Sequence, residues 1–259
     1  MRNTIDFILR WFSTKAGILL SKTIAAAVTL SVTCIAVRSG VFEEFGATRT
    51  CCFAIAMASV WTGLFNSLCL FYSERDYMMD DLIKFLPVHA YVAGNVIIQF
   101  IQSLLEAGVS VSVFTLFFDY EKEGVVFSNK NIDLLITFFL IIFSLDMLGF
   151  LAGTMINGIN SITTAVPAIL VVQLLFSGCL FELDEHIEVI AYITSARWGF
   201  YSLGSIFNLN SLLQVGGESI FKPEADYIWY CWRYMILLAI LFILLSGTFL
   251  YFKMNRTKS

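Results

Sequence analysis

Charged residues are scarce in this sequence. They make up 14% of its 259 residues, whereas hydrophobic residues make up 58%. Soluble domains carry about 25% charged and about 45–50% apolar residues, so the composition excludes an ordinary soluble domain and predicts an integral membrane protein. Proline occurs only three times, so the long apolar runs can form helices with few interruptions. Neither the net charge of −4 nor any basic patch indicates a nucleic acid partner.

Catalytic motifs are missing as well. The sequence contains no GxSxG nucleophile motif, no HExxH zinc motif and no GxxxxGK[ST] phosphate-binding loop. Its six cysteines lack the CxxC spacing of metal sites, and the acidic cluster at 184–188 matches no specific metal site. We therefore expect no enzyme activity, no metal and no cofactor on this chain. If the protein uses ATP, another chain must bind it.

Long apolar runs predict an all-α membrane protein in which residues 1–259 form one transmembrane domain. About 20 apolar residues cross the hydrocarbon core of a bilayer as a helix. We place six spans at 17–37, 50–71, 90–118, 132–156, 162–180 and 228–252. Residues 4–15 have apolar side chains at helical spacing and predict an interfacial helix, the alternative being an extended start of the first span. The polar insert 182–227 is expected to be a short external helical insert.

The distribution of basic residues orients the chain. Six spans place both termini on the same side of the membrane. With that side cytosolic, nine of the 16 basic residues fall in cytosolic segments, and those near the first span and in the tail count most under the positive-inside rule. We expect cytosolic termini in the cytoplasmic (plasma) membrane, in contact with lipid.

A charged segment at 72–89 joins the second and third predicted spans. It is too polar for hydrocarbon and must face water, where another molecule can bind it. The alternative is a loop whose charges are only solvated. Its charged residues are Glu74, Arg75, Asp76, Asp80, Asp81 and Lys84.

Two acidic residues, Glu106 and Asp146, fall inside predicted spans. A carboxylate in hydrocarbon must be paired or neutral, so such residues are functional candidates by default. Glu106 belongs to a polar stripe at helical spacing on the third span. Asp146 precedes Gly149, which opens a GxxxG pattern, and we favour a structural hydrogen bond at a tight helix contact there. The competing hypothesis is a secondary transporter or channel in which both carboxylates form a proton or ion pathway.

Four pieces of the chain, in order, resemble the membrane half of type-2 ABC exporters of the G-subfamily. Residues 4–15 resemble its connecting helix. The sequence 61–67 (WTGLFNS, which includes Asn66), running into 73–76 (SERD), resembles its second span and the acidic–basic pair that follows. Residues 77–93 resemble its coupling helix and the start of the third span. The most specific piece is 192–203 (YITSARWGFYSL), an external signature that contains Arg197, Trp198 and Gly199.

The resemblance implies a permease subunit of an ATP-driven exporter that works by alternating access. Two permease chains, like or unlike, would pair around a central route. This sequence begins at the connecting helix, so we expect a separate cytosolic ABC ATPase to bind ATP and Mg²⁺. The coupling residues would be Glu74, Arg75, Asp76, Asp80 and Asp81. The second and fifth spans would supply the route, whose apolar character indicates a hydrophobic or amphipathic substrate (drug, lipid or peptide). Its residues would be Met57, Val60, Trp61, Leu64, Val171, Leu174 and Leu175.

Overall fold

The computed structural model of the chain describes residues 2–84, 87–156, 159–180, 189–213 and 220–258, and within them the side chains of 4–15, 17–68, 87–156, 164–180, 189–213 and 220–255. Over these residues the protein is all-helical, as predicted, without a strand. The helices are α1 (Arg2–Ala36), α2 (Phe45–Lys84), α3 (Val88–Phe117), α4 (Lys130–Met155), α5 (Ile159–Leu175), α6 (Ser195–Ile206) and α7 (Ala225–Lys258), with a 3-10 helix at Leu209–Leu212.

Within the part of the chain that the structure describes, five helices are long and apolar enough to cross a membrane, and they correspond to five of the six predicted spans. They are parts of α1, α2, α3, α4 and α7. The remaining predicted span, 162–180, corresponds to α5, which has only 17 residues, or about 25 Å, somewhat less than the ~30 Å hydrocarbon core. It ends at Leu175 rather than at the predicted position 180, because the chain turns there and Gly178 has a φ of +76°, which suits a residue without Cβ.

The predicted interfacial helix at 4–15 is the beginning of α1, which continues unbroken to Ala36. Its buried side is formed by Trp11, which is 5% exposed and packs with Leu19 and Ile98. Phe7 lies against α3, where its ring would meet a Cβ on Gly94 at 2.5 Å. The apolar residues Ile5 and Leu9 instead face outward and are 54% and 63% exposed. A lipid-facing surface is consistent with this pattern.

Helix α4 is the centre of the bundle and packs against α2, α3, α6 and α7. Phe138, Ile141 and Leu145 on it are fully buried. The close approach to α2 depends on Gly149, where an added Cβ would lie 2.9 Å from Ser67 Cβ. The first glycine of the GxxxG pattern therefore lies at a tight helix contact.

Aromatic clusters mark the two ends of the bundle. At one end Tyr91 contacts Phe7 and Phe150 and is buried with Leu250 and Met254. The first and last helices therefore bring the N-terminal and C-terminal segments to the same end. The opposite cluster joins the loops after α1, α3 and α6 and consists of Phe42, Phe114, Phe118, Tyr120 and Phe207.

Helix α6 lies within the polar insert 182–227, whose external position stays a prediction. All twelve of its residues are buried, and the helix packs against α2, α4, α5 and α7. Cβ atoms at Gly199 and Gly204 would collide with side-chain atoms of Ile141 and Phe221. Part of the insert 182–227 is therefore inside the bundle, although 181–188 and 214–219 lie outside the described residues.

Candidate functional site: a polar cluster between the spans

The polar stripe on α3 is buried along its whole length. Because its members recur every three or four residues, they share one face of the helix. That face meets polar groups of α1, α2 and α4. The stripe residues, each 4% exposed or less, are Asn95, Gln99, Gln102, Ser103, Glu106 and Ser110.

Glu106 is fully buried and is held through one of its two oxygens. Its Oε1 accepts a hydrogen bond from Asn66 Nδ2 on α2 at 3.0 Å and another from Gln102 Nε2 on its own helix. The same Gln102 nitrogen lies 3.5 Å from Thr23 Oγ1 on α1. The carboxylate therefore connects α1, α2 and α3.

Asp146 is also fully buried and joins α4 to the same cluster. Ser103 Oγ lies 2.6 Å from Asp146 Oδ2 and 2.7 Å from the backbone carbonyl oxygen of Gln99, and its single proton can be donated to either acceptor. Ser67 Oγ on α2 donates to the backbone carbonyl oxygen of Asp146 at 2.7 Å, and Gln99 Nε2 lies 3.4 Å from that Ser67 hydroxyl. Lys22 on α1 interacts electrostatically with Glu106 and Asp146. Two hydrogen-bonded groups, one around Glu106 and one around Asp146, thus lie between four helices and adjoin at the neighbouring residues Asn66 and Ser67. Together with Lys22 we call them the carboxylate cluster (Lys22, Thr23, Asn66, Ser67, Gln99, Gln102, Ser103, Glu106 and Asp146).

Arg197 forms a second buried polar site, on α6. It is 6% exposed, and its guanidinium carbon lies 5.3 Å from the ring centroid of Tyr192, 5.8 Å from that of Trp198 and 5.2 Å from that of Tyr201. Trp198 in turn stacks on Tyr234 of α7, with ring centroids 4.3 Å apart. Through Trp198 the predicted signature residues pack α6 against the last span. The guanidinium of Arg197 is surrounded by aromatic rings at cation–π distances.

The predicted route residues divide into two groups. Trp61, Val171 and Leu175 are 44%, 51% and 37% exposed, and Met57 and Leu174 are partly exposed. Val60 and Leu64 are fully buried in the core of the subunit. Both were predicted to line a route between chains, and that role stays a prediction; in this structure their side of α2 packs within the subunit.

Comparison with known protein families decides the class of the protein. The family model for the ABC-2 type transporter matches residues 1–208, which is most of the chain and includes all four resembling pieces. The chain belongs to the ABC-2 type transporter family. No curated protein matches it. The predicted type-2 ABC permease is thereby confirmed, and the protein is a multi-pass membrane transport subunit.

The charged segment of this ABC-2 type transporter continues the second span without a break. Helix α2 runs through 72–84 to Lys84, and α3 begins at Val88 after Pro87, whose extended backbone marks the helix start. The side chains of Glu74, Arg75, Asp76, Asp80 and Asp81 lie outside the described part of the chain. Their place on a long helix is described, and their contacts stay a prediction.

Asp133 is a structural residue that sequence reasoning missed. It is fully buried in the first turn of α4. Its two carboxylate oxygens accept hydrogen bonds from the backbone N–H groups of Val125, Val126 and Phe127 at 2.8, 3.1 and 3.0 Å. Beside it Tyr120 donates to Asn131 Oδ1 at 2.7 Å, and burial raises the pKa of Tyr120 to about 12. An acidic residue in the first turn of a helix was the available signal.

A second missed residue, Gln173, connects α5 to α6. Its Oε1 accepts a hydrogen bond from the backbone N–H of Ala196 at 3.0 Å, which satisfies one of the unpaired donors at the start of α6. Nearby, Arg49 Nη2 of α2 donates to the carbonyl oxygen of Cys179 at 2.7 Å. These bonds fix the turn after α5 to the bundle.

Proposed function

We propose that this ABC-2 type transporter chain is the permease subunit of an ATP-driven exporter. In this proposal two permease chains pair around a route, and a separate cytosolic ABC ATPase binds and hydrolyses ATP with Mg²⁺. The closure of the ATPase dimer moves the permease between inward-facing and outward-facing states. The observation that carries the proposal is the unbroken helix from the second span into the charged segment 72–84.

The length of α2 supports a coupling role. Forty residues make a helix of about 60 Å, roughly twice the hydrocarbon thickness. The part of α2 that can span the membrane is Phe45–Leu68, so its charged end projects beyond the bilayer. A force on this end acts on the same helix that carries Asn66 and Ser67, which are bonded to Glu106 and to the backbone of Asp146. Movement of the ATPase would thereby reach α3 and α4.

The charges of the segment fit a protein partner. Asp76 and Asp80 are four residues apart on α2 and share one helix face, and Asp81 adds a third negative charge next to it. Such a face suits a basic groove on an ATPase. Glu74 and Arg75, at the membrane end of the segment, would hold it in place by ion pairing with the ATPase or with the N-terminal part of α1.

The outward apolar face of α2 and α5 supports a hydrophobic or amphipathic substrate. Trp61 and Phe65 stack with ring centroids 5.4 Å apart and are 44% and 41% exposed. Val171 and Leu175 on α5 are exposed as well. In the proposal this face, which we call the Trp61 face, meets a second permease chain and encloses the route with it. The charged end of α2 and both chain termini are then cytosolic, in the plasma membrane.

The proposal is tested with the chain co-expressed with candidate ABC ATPases encoded beside its gene. We expect an ATPase to co-elute in mild detergent and the reconstituted complex to export amphipathic dyes. The double variant Glu74→Ala/Arg75→Ala should assemble and lose transport. The matched control is Glu121→Ala/Lys122→Ala, which removes an exposed acidic–basic pair from the loop after α3.

Two results contradict this function. Normal transport by the Glu74→Ala/Arg75→Ala complex would remove the coupling role of the segment. Proton-driven flux by the chain alone, without an ATPase, would favour the secondary transporter, in which Glu106 and Asp146 form the ion pathway.

A further inference from the structure

The carboxylate cluster has more hydrogen-bond acceptors than donors. Four of its buried oxygens accept no hydrogen bond from the described residues: Glu106 Oε2, Asp146 Oδ1, Gln99 Oε1 and Gln102 Oε1. Each belongs to a side chain that is 2% exposed or less. A buried acceptor without a partner costs about 1–3 kcal/mol, and more when it is charged. Two of these oxygens lie in the hydrogen-bonded group around Glu106 and two in the adjoining group around Asp146, and this excess of acceptors indicates that a further group binds there.

Reorienting the amides does not remove this excess. Exchanging the oxygen and nitrogen of Gln102 would turn its oxygen toward the Glu106 carboxylate, which it now reaches through Nε2. Exchanging those of Gln99 would remove its bond to Ser67 Oγ, whose proton already goes to the Asp146 carbonyl oxygen. Either change loses a donor that the cluster uses.

Like the excess of acceptors, the charges of the carboxylate cluster favour an added cation, because negative charge is in excess. When both carboxyl groups are ionised, Glu106 on α3 and Asp146 on α4 bring two negative charges, and Lys22 on α1 interacts with both through one positive charge. The residues that α2 contributes, Asn66 and Ser67, are neutral. One further positive charge therefore brings the buried cluster to neutrality, which the low dielectric of the interior strongly favours.

We propose that the carboxylate cluster binds a monovalent metal cation, with Na⁺ as the ion of matching chemistry. Hard cations take carboxylate and amide oxygens as ligands, and the four oxygens that lack donors are of these two kinds. A single proton would balance the charge but supply only one donor, and it would leave the two amide oxygens unsatisfied. A divalent ion would leave the cluster with an excess positive charge. The bound ion would hold α3 to α4 within the subunit, independently of the proposed ATP-driven export.

The test measures the Tm of the full chain in mild detergent. Tryptophan fluorescence reports the unfolding, and the ionic strength is held constant. Na⁺ replaces N-methylglucamine in one series, and K⁺ replaces it in another. We expect a saturable rise in the wild-type Tm of about 5 °C with Na⁺. Gln99→Met keeps the net charge and removes one ligand oxygen, so it should raise the Na⁺ concentration at half-saturation about ten-fold. Glu106→Gln and Asp146→Asn should abolish the rise, and Glu123→Gln, in an exposed loop, should leave it unchanged.

Three outcomes overturn the proposal. The first is a wild-type Tm that does not change with Na⁺ but rises as the pH falls, since a proton alone would then be the occupant. The second is an Na⁺ response that persists in both carboxylate variants. The third is an equal rise in Tm when Na⁺ or K⁺ replaces N-methylglucamine, which would be a general effect of removing the organic cation. If the variants do not fold, the wild-type ion series still decides the question.

Discussion

Gly63 of α2 and Ile142 of α4 meet backbone to backbone. A Cβ on Gly63 would collide with the carbonyl oxygen of Ile142 and lie 3.1 Å from Leu145 Cβ. Neither atom belongs to the flexible end of a side chain. The closest contact between α2 and α4 therefore depends on the absence of a side chain at position 63.

Gly63→Ala should destabilise the protein. Separating the two helices enough to admit a methyl group has the cost of overpacking, about 1–3 kcal/mol, and we expect a lower Tm in detergent. Gly108→Ala is the matched control, because a Cβ there would meet nothing within 4 Å and alanine is a better helix former than glycine by about 0.5–1 kcal/mol. Equal effects of the two substitutions would contradict the tight contact.

The hydrogen bond from Ser103 to Asp146 gives a second prediction. Ser103→Ala leaves a fully buried carboxylate oxygen without its donor and should cost about 1–3 kcal/mol. Ser112→Ala, on the same helix, removes an exposed hydroxyl that bonds only to the Gly108 carbonyl oxygen, so its effect should stay within about 0.5 kcal/mol.

A double-mutant cycle separates this bond from general packing. Combining Ser103→Ala with Asp146→Leu, which removes both side-chain oxygens, should cost less than the sum of the single changes, because the bond can be lost only once. Thermal unfolding of the four proteins measures the coupling. Additive costs would place the two side chains out of contact.

The spans were predictable because membrane-crossing helices are defined by the apolar character of their own residues. The burial of α6 was not, since Ser195, Arg197, Ser202 and Ser205 interrupt its apolar residues with polar ones. Its surroundings are supplied by α2, α4, α5 and α7, and no local pattern in α6 reveals them. The carboxylate cluster was predictable only in part. The stripe on α3 was visible as a spacing, whereas the pairing of Ser103 with Asp146 required the relative position of two helices.

The two sides of α2 illustrate a limit that is specific to membranes. Val60 and Leu64 are buried in the subunit, whereas Trp61 and Phe65 face outward. Lipid is as apolar as the protein core, so the sequence assigns similar residues to both sides. Hydropathy therefore predicted that α2 spans the membrane and left open which of its residues could line a route.

Leu64→Ala and Trp61→Ala should separate the core side of α2 from its outward side. Leu64→Ala opens a cavity in the core and should cost about 2–5 kcal/mol, measured as a lower Tm. Trp61→Ala should leave the Tm of the single chain nearly unchanged. It should instead weaken the pairing of two permease chains, measured by cross-linking in membranes, or transport, measured by dye export. A large loss of Tm from Trp61→Ala with normal pairing and export would place the Trp61 face inside the subunit.

Arg197 should be required for the attachment of α6 to α7. Arg197→Met keeps much of the buried volume and removes the charge that interacts with the rings of Tyr192, Trp198 and Tyr201, at a cost of about 2 kcal/mol. Arg197→Lys should not restore stability fully, since an ammonium lacks the flat surface of a guanidinium. Near-ultraviolet circular dichroism should report the change through Trp198, stacked on Tyr234. Arg38→Met, at an exposed position, is the control. An unchanged aromatic spectrum in Arg197→Met would contradict the enclosure.

Asp133 should control the order of the loop between α3 and α4. The side chain accepts three backbone hydrogen bonds from Val125, Val126 and Phe127, and bonds to a charged acceptor contribute about 1.5–3 kcal/mol each. Asp133→Asn removes the charge and replaces one acceptor oxygen with a donor that faces an N–H group. Hydrogen exchange at 125–127 should then accelerate by at least about ten-fold, while exchange in the middle of α4 stays slow. Asp119→Asn, in the same loop but exposed, should leave the exchange unchanged. If exchange at 125–127 were equally slow in both variants, the turn 124–127, where a Cβ on Gly124 would collide with the Phe127 carbonyl oxygen, would be held by its backbone alone and Asp133 would not be its anchor.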